Sequence, residues 1–205
     1  MNPAVLKNLS YGMYVIGTKY NGRPNACVAN SVIQISSSDP EKVLIALTKD
    51  THSCTAIREN GIFTISVLST DTPASVIGAL GLVSGKNADK LKNIRHKVLI
   101  EGVPVVKENT CCWFLCKVIS GMDVGQEMVF AAEIIAGSDS AIGTPMTYDF
   151  YRSEMHGLSP VGSPTYVPPE STFDKSSGES FVCSVCGYVY SLFLIHISEP
   201  TRHAQ

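Results

Sequence analysis

The 205 residues include 44% hydrophobic and 17% charged side chains and carry a net charge of −2, a composition typical of an ordinary globular protein. A chain with so little net charge is not expected to bind nucleic acid through a positively charged surface. No segment approaches the roughly 18 consecutive apolar residues that a membrane-spanning helix requires. Without the basic patch and apolar run of a secretory signal, the chain is expected to be cytoplasmic. Its seven cysteines, an odd number, fit a reducing compartment better than a disulfide framework.

Strands are predicted over most of the first 170 residues. Short segments rich in β-branched and aromatic residues are each bounded by Gly, Asn, Asp, Ser or Pro. In chain order they read YGMYVIGTKY, ACVANSVIQISS, KVLIALTKD, IFTISVLS, VPVVKENTCCWFLCKVISGMDVG and QEMVFAAEIIAG. This pattern is typical of a closed β-barrel.

One predicted strand, CCWFLCKVIS, is apolar on both faces. Alternation places Cys112, Phe114 and Cys116 on one face, and Cys111, Trp113 and Leu115 on the other. We therefore expect this strand to lie between the barrel core and a covering element or a second subunit. Its cysteines are expected to be packing residues, because a free cysteine behaves as a small hydrophobe.

Two helices are predicted between the strands. HSCTAIRENG has Thr51 or Ser53 as its N-cap and Gly61 as its stop. DTPASVIGALGLVSG begins with Asp71 or Thr72 ahead of Pro73, which suits a first-turn position.

The ordered segments resemble the flavin reductase-like FMN-binding proteins, the group that includes flavoredoxin. The resemblance rests on GMYVIGT, NACVANSVIQISSSDP, VLIALTKDTHSCTAIRENGIFTISVLS, IGALGLVSGKNADK and GMDVGQEMVFAAEI, and spans about residues 5 to 170. It implies a split β-barrel of Greek-key type, mainly β with short helices. It also implies a homodimer with FMN near the subunit interface and reduction of that flavin by NADH or NADPH.

The residues offer a site for an FMN phosphate. LTKDTHSCTAI brings a cation, hydroxyls, an imidazole and the N–H groups of a helix start, and a polar turn follows the second helix. The candidates from these two segments are Lys49, Thr51, His52, Ser53, Ser84, Gly85 and Lys86. The resemblance adds Asn30 and Ser31 as donors to the ring edge and the ribityl chain. Taken singly, each lysine is more often a solvated surface group and Thr51 to Ser53 more often a helix cap.

The sequence identifies no catalytic acid or base. There is no GxGxxG after a strand, so NAD(P)H is expected to stack directly on the flavin in an open cleft. Tyr148, Phe150 and Tyr151 either wall the flavin ring, cover the flavin of a second subunit, or simply close the barrel.

The composition changes from Ser153, where four prolines lie between Pro160 and Pro169 and are followed by Ser, Gly and charge. We expect a flavin-binding domain over 1–158 and an arm with a linker over 159–180. Residues 181–190, FVCSVCGYVY, resemble the first iron knuckle of rubredoxin, with Cys183 and Cys186 as two thiolate ligands. Gly187 permits the tight turn of such a knuckle.

The last segment, 191–205, supplies no second pair of cysteines. Its string LIHISEPTR resembles a translated sequencing-library adapter, so this tail is expected to be non-native and the rubredoxin-like domain truncated. Iron is expected only where that domain is complete. The competing interpretation is a zinc site made of Cys183, Cys186, His196 and His203, although nine residues between Cys186 and His196 are fewer than the usual finger spacing.

Three functions remain open at this point. The first is an NAD(P)H-dependent flavoenzyme that passes electrons from FMN to a rubredoxin-type iron centre and on to an external protein acceptor. The second is a flavin reductase that releases reduced FMN to a partner. The third is a flavin-holding redox sensor without turnover.

Overall fold

The computed structural model describes residues 2–85, 88–167, 180–182 and 189–191. An initial 3-10 helix spans Pro3–Asn8, and the helices are α1 (His52–Asn60), α2 (Ala74–Gly81) and α3 (Tyr148–Ser153). The strands are β1 (Tyr14–Tyr20), β2 (Arg23–Ala29), β3 (Val32–Ser36), β4 (Lys42–Thr48), β5 (Ile62–Leu68), β6 (His96–Val98), β7 (Pro104–Val106), β8 (Thr110–Asp123), β9 (Glu127–Gly137), β10 (Ser180–Val182) and β11 (Val189–Ser191). The prediction of a mainly β chain with short helices is confirmed. No helix in the described residues is long and apolar enough to cross a membrane.

Seven strands form one antiparallel sheet in the order β2-β1-β5-β8-β9-β4-β3. Only Asn30 and Ser31 join β2 to β3, yet these two strands are the opposite edges of the sheet. The barrel is therefore split, as the family resemblance implied, and not closed as the strand pattern suggested, because β3 turns away to pair with β4. Two short hairpins stand apart from the sheet, β6 with β7 and β10 with β11.

The sheet curls around one apolar cluster. Ile16 of β1 and Val32 of β3 belong to the same buried cluster, although their strands lie near opposite edges of the sheet. The other members of this inner cluster are Val43, Ile45, Leu47, Cys54, Ile57, Phe63, Ile65, Cys116, Phe130 and Ala132. Because residues from strands near the two opposite edges pack together, the sheet takes the shape of a barrel.

A second cluster packs on the opposite face of β1, where Val15 points away from Ile16. It buries the apolar faces of α2 and α3 through Val76, Ile77, Leu80, Tyr148 and Tyr151. Helices α2 and α3 therefore lie outside the barrel, on the β1–β2 side.

The helix boundaries agree with the sequence for α1 and differ for the others. Thr51 caps α1 by accepting the Cys54 N–H at 3.2 Å, and Gly61 ends it with φ of +68°. At α2, Pro73 itself is the N-cap, and the Thr72 hydroxyl donates instead to the Asn109 carbonyl at 2.7 Å. The prediction that Asp71 or Thr72 caps α2 is wrong, because the Thr72 hydroxyl is hydrogen-bonded to the loop before β8. Helix α3, capped by Thr147, was not predicted.

The first half of β8, residues 110–116, is buried or half-buried on both faces as expected. Cys116 lies in the inner cluster, while Cys111 and Leu115 are also buried. Burial raises the pKa of the Cys116 thiol to about 12. The prediction that Cys111 and Cys116 are buried packing residues is confirmed, whereas Cys112 is half-buried.

Candidate functional site

A cavity of about 440 Å³ opens beside the split in the barrel. It lies between the ends of β2 and β4, the first turn of α1, the loop after α2, and helix α3. Its remaining wall is residues 158–165, which we call the strap. The cavity therefore draws on segments that are far apart in the chain.

The first turn of α1 forms one end of the cavity, with Thr51, His52 and Ser53 all lining it. The His52 ring stacks on Tyr20, with ring centroids 4.3 Å apart. Ser53 is only 2% exposed, and its hydroxyl accepts a hydrogen bond from Asn25 Nδ2 at 3.3 Å. The Cys54 N–H is already bound to Thr51, so the unpaired N–H groups of this helix start are those of His52 and Ser53.

The turn after α2 lies next to this helix start. Ser84 and Gly85 line the cavity, and Lys86 lies outside the described residues. A Cβ at Gly85 would come within 2.8 Å of Asn25 Oδ1, so any larger residue would have to push the Asn25 amide aside. The structure thus brings the two predicted phosphate-binding segments together, with Asn25 between them.

Lys90 is the lysine that lines the cavity, and sequence reasoning missed it. It is half-buried, and burial lowers the pKa of its ammonium group. No carboxylate of the described residues lies within salt-bridge distance of it. Its position after the polar turn, in GKNADK, is the one sequence signal that could have found it.

Lys49 lies elsewhere. Its ammonium group is 2.5 Å from Asp123 Oδ1 at the tip of the β8–β9 hairpin, and the residue does not line the cavity. A hydrogen bond from Lys49, aided by the Gly125 N–H, lowers the pKa of the Asp123 carboxyl. The geometry supports Lys49 less than any other described residue of the predicted phosphate site.

Asn30 lies at the other end of the cavity and is bound to the strap. Its Nδ2 donates to Thr165 Oγ1 at 2.6 Å, and the same hydroxyl donates to Asn30 Oδ1 at 3.0 Å. Ser31 does not line the cavity, and its hydroxyl donates to Asn30 Oδ1 at 3.4 Å. Of the three aromatic candidates, Tyr148 and Tyr151 line the cavity and Phe150 does not.

Burial also affects Cys27 on the cavity wall. Burial raises the pKa of this thiol, while the charge of Lys90 and a hydrogen bond with Ser53 act in the opposite direction. Cys27 is therefore a neutral thiol near pH 7 and contributes apolar surface to the cavity.

The predicted metal ligands Cys183 and Cys186, and the alternative ligands His196 and His203, lie outside the described residues. Within the described part of the chain, no group of three or more His, Cys, Asp or Glu side chains is arranged to hold a metal ion. Strands β10 and β11 do flank the two cysteines in sequence, with Phe181 paired to Tyr190.

Comparisons with known proteins give a consistent picture. Residues 6–159 match the family described as flavin reductase like domain. The chain is 31% identical to the high molecular weight rubredoxin of Moorella thermoacetica over 93% of this chain and 83% of that protein. It is 28% identical to the ferric-chelate reductase (NAD(P)H) of Archaeoglobus fulgidus over 81% of this chain and 98% of that protein. The flavoredoxin structure from Methanosarcina acetivorans shares the fold, with a TM-score of 0.59, 21% identity, and coverage of 66% of this chain and 73% of that one.

Proposed function

Because the chain belongs to the flavin reductase-like family, we propose that its cavity binds FMN and that NAD(P)H reduces the bound flavin. The protein is a flavin oxidoreductase. The relative named ferric-chelate reductase (NAD(P)H) supports the choice of reductant. The observation that carries the proposal is Lys90, a half-buried lysine that has no described carboxylate partner and lines the same cavity as the α1 helix start.

A dianionic phosphate fits this end of the cavity. Burying a cation without a counter-charge costs free energy, and an anion placed near Lys90 offsets that cost. The N–H groups of His52 and Ser53 and the positive end of the α1 dipole favour the same anion. Ser84 and Gly85 add a polar turn in which the backbone comes close to the ligand. We propose Thr51, His52, Ser53, Ser84, Gly85 and Lys90 for the phosphate, and Lys86 remains a prediction.

The middle of the cavity suits a flat apolar ring. Val28, Leu47 and Ile77 line it, together with the rings of Tyr148 and Tyr151. Asn30 supplies an amide for the polar edge of the ring, with Ser31 holding that amide through its hydroxyl. An apolar slot with few polar groups is the usual form of a cofactor site.

A bound flavin supplies the redox chemistry, since it accepts a hydride from a reduced nicotinamide and passes electrons on. The chain's own contribution is to bind and orient. Lys90 and the α1 helix start fix the anionic end, Asn30 fixes the polar edge, and the apolar walls exclude water. The hydride transfer itself calls for no acid or base from the protein.

We propose that the protein forms a homodimer through the outer face of β3, β4, β8 and β9. On β9, Phe130 and Ala132 point into the inner cluster, so Ile135 lies on the outer face. Ile33, Ile35, Ile119 and Met122 are likewise exposed on these strands. An apolar face of this kind marks an interaction surface, and a second copy of the chain covers it in the arrangement that the family resemblance implies.

Where the rubredoxin-like domain is complete, we propose that its iron centre takes electrons from the flavin. Support comes from the spacing of Cys183 and Cys186 and from the relative named high molecular weight rubredoxin. Such a centre needs four thiolates, and this sequence contains one Cys-x-x-Cys pair after the barrel. The chain as written is therefore expected to show no ferric thiolate absorption, and one iron per chain would contradict this.

An anaerobic absorbance experiment tests the proposed function. The purified chain is loaded with FMN, freed of excess flavin, and mixed with NADH or NADPH. We expect flavin bands that bleach within seconds. A protein that neither retains FMN nor consumes either nucleotide would show that the family fold has lost its function here. If the protein retains FMN but neither NADH nor NADPH bleaches its absorbance, the flavin-binding sensor without turnover is the better interpretation.

A further inference from the structure

We propose that the strap, residues 158–165, is a clasp that retains the flavin in its cavity, latched by Thr165 on Asn30 and by Gly162 on Thr48. This inference rests on the proposed flavin site and adds a determinant of how long the flavin stays bound. The sequence alone suggested only an extended arm in this region.

The strap is hydrogen-bonded to α3 at its start and to the barrel at its middle and its end. At its start, Tyr151 Oη donates to the Leu158 carbonyl at 3.4 Å, and Tyr148 Oη is hydrogen-bonded to Ser159 Oγ. In its middle, Thr48 Oγ1 donates to the Gly162 carbonyl at 2.8 Å. At its end, Thr165 pairs with the Asn30 amide through two hydrogen bonds. A passive tether between domains would need none of these contacts.

The conformation of Gly162 serves the middle latch. Its φ of +83° lies in the left-handed region, which side-chain-bearing residues rarely adopt. A Cβ at this position would meet no atom within 4 Å, so space does not require glycine here. The backbone conformation that directs the carbonyl towards Thr48 requires it.

The strap forms one wall of the cavity and does not fill it. With both latches made, about 440 Å³ remains beneath it, lined on the strap side by Leu158, Pro160, Val161 and Pro164. These four residues border the same space as Tyr148 and Tyr151, and they are exposed to solvent, Val161 to 82%. The strap is thus a wall for a flat ring, and a ligand that leaves past it must first break the Asn30 or Thr48 latch.

The strap is expected to act mainly on the rate at which flavin dissociates. Affinity differences among variants of one site appear mostly as differences in dissociation rate. Breaking a hydrogen bond between neutral groups speeds release by about 2- to 10-fold. The clasp therefore favours a flavin that stays bound through turnover over one that is handed on to a partner.

The test uses the full chain loaded with FMN, and separately with riboflavin, which lacks the phosphate. Flavin release is followed by fluorescence after mixing with an excess of a flavin-trapping apoprotein. The variants Thr165→Val and Thr48→Val remove one latch each with little change of shape, and Tyr148→Phe releases the start of the strap. Thr110→Val is the matched control, because the Thr110 hydroxyl donates to the Val106 carbonyl outside the cavity.

We expect each latch variant to release both flavins about 2- to 10-fold faster than the parent chain, and Thr110→Val to release them at the parent rate. Suppose that Thr165→Val, Thr48→Val and Tyr148→Phe all bind flavin but release it at the parent rate. That result would overturn the clasp and leave the proposed flavin site intact. A parent chain that binds neither flavin would overturn the proposed function and the clasp with it. Faster release of FMN alone would also overturn it, because a wall for the flavin ring acts on FMN and riboflavin alike.

Discussion

Asn25 Nδ2 donates to Ser53 Oγ across 3.3 Å, which joins strand β2 to the first turn of α1. Gly85 packs against the oxygen of the same amide, where a Cβ would lie 2.8 Å away. One side chain thus sets the distance between the helix start and the turn after α2. In the proposed site, that distance decides whether a phosphate can contact both.

Asn25→Ala is expected to weaken FMN binding about 5- to 10-fold, since a hydrogen bond that positions Ser53 is lost. Gly85→Ala should act in the same direction, because the new methyl group displaces the Asn25 amide. Isothermal titration of the apoprotein with FMN and with riboflavin measures both. Equal losses for the two ligands would mean that Asn25 supports the fold and not the phosphate.

Lys90→Met is expected to have opposite effects on binding and on stability. Loss of a charge-assisted contact weakens FMN binding by about 1.5 to 3 kcal/mol. Removal of a half-buried, unpaired charge raises the melting temperature of the apoprotein by about 1 to 3 °C. Lys49→Met is the matched control, because its ammonium group is bound to Asp123 outside the cavity. A larger loss of FMN affinity from Lys49→Met would support the sequence-based assignment of Lys49 instead.

The affinity for FMN should fall as the pH rises through the pKa of Lys90. Burial lowers this pKa below the ordinary lysine value of 10.5, so the ammonium loses its charge at a lower pH than a surface lysine does. The neutral amine no longer attracts the phosphate. Titrations between pH 7 and the alkaline limit of stability, with Lys90→Met as reference, measure the effect. A variant with the same pH profile as the parent chain would rule out Lys90 as its source.

The apoprotein should lose stability above pH 9, and Cys116 should account for part of the loss. Burial raises its pKa from 9.0 to about 12, so between these values the folded state holds a proton that the unfolded state has released. The free energy of unfolding then falls with pH, by up to about 1.4 kcal/mol per unit from this thiol. Urea unfolding at pH 8.5 and 10.5 should show a smaller fall for Cys116→Ala, although that variant is less stable at both values. An identical fall in both proteins would contradict the assignment.

Ile33→Lys should convert the proposed dimer to a monomer. Ile33 is 55% exposed on the outer face of β3, where a second copy would bury it, and an unpaired buried charge is costly. Light scattering during size-exclusion chromatography measures the mass. Ile100→Lys is the control, because Ile100 is fully exposed in the β6–β7 connection, away from this face. A parent chain that elutes as a monomer would refute the proposed interface.

Local signals predicted the elements well. Alternation and the bounding turn residues found the main strands, and Thr51 with Gly61 gave the limits of α1 because capping depends only on neighbouring residues. The first half of β8 was correctly expected to be buried on both faces. The cap of α2 was wrong because the Thr72 hydroxyl found a partner at Asn109, 37 residues away, which no local pattern encodes.

The sequence by itself was enough to predict a mainly β fold, to show the resemblance to flavin-binding proteins, and to identify the segments that carry the polar residues of the site. Only the tertiary structure decided that Lys90 and not Lys49 lines the cavity and that residues 158–165 border it, and only the strand order showed how the split arises, with β2 and β3 at opposite edges of the sheet. The reason is physical. Periodicity and capping are set by residues a few positions apart, whereas the environment of a lysine or the path of a proline-rich arm depends on contacts such as Asn30 with Thr165, 135 residues apart.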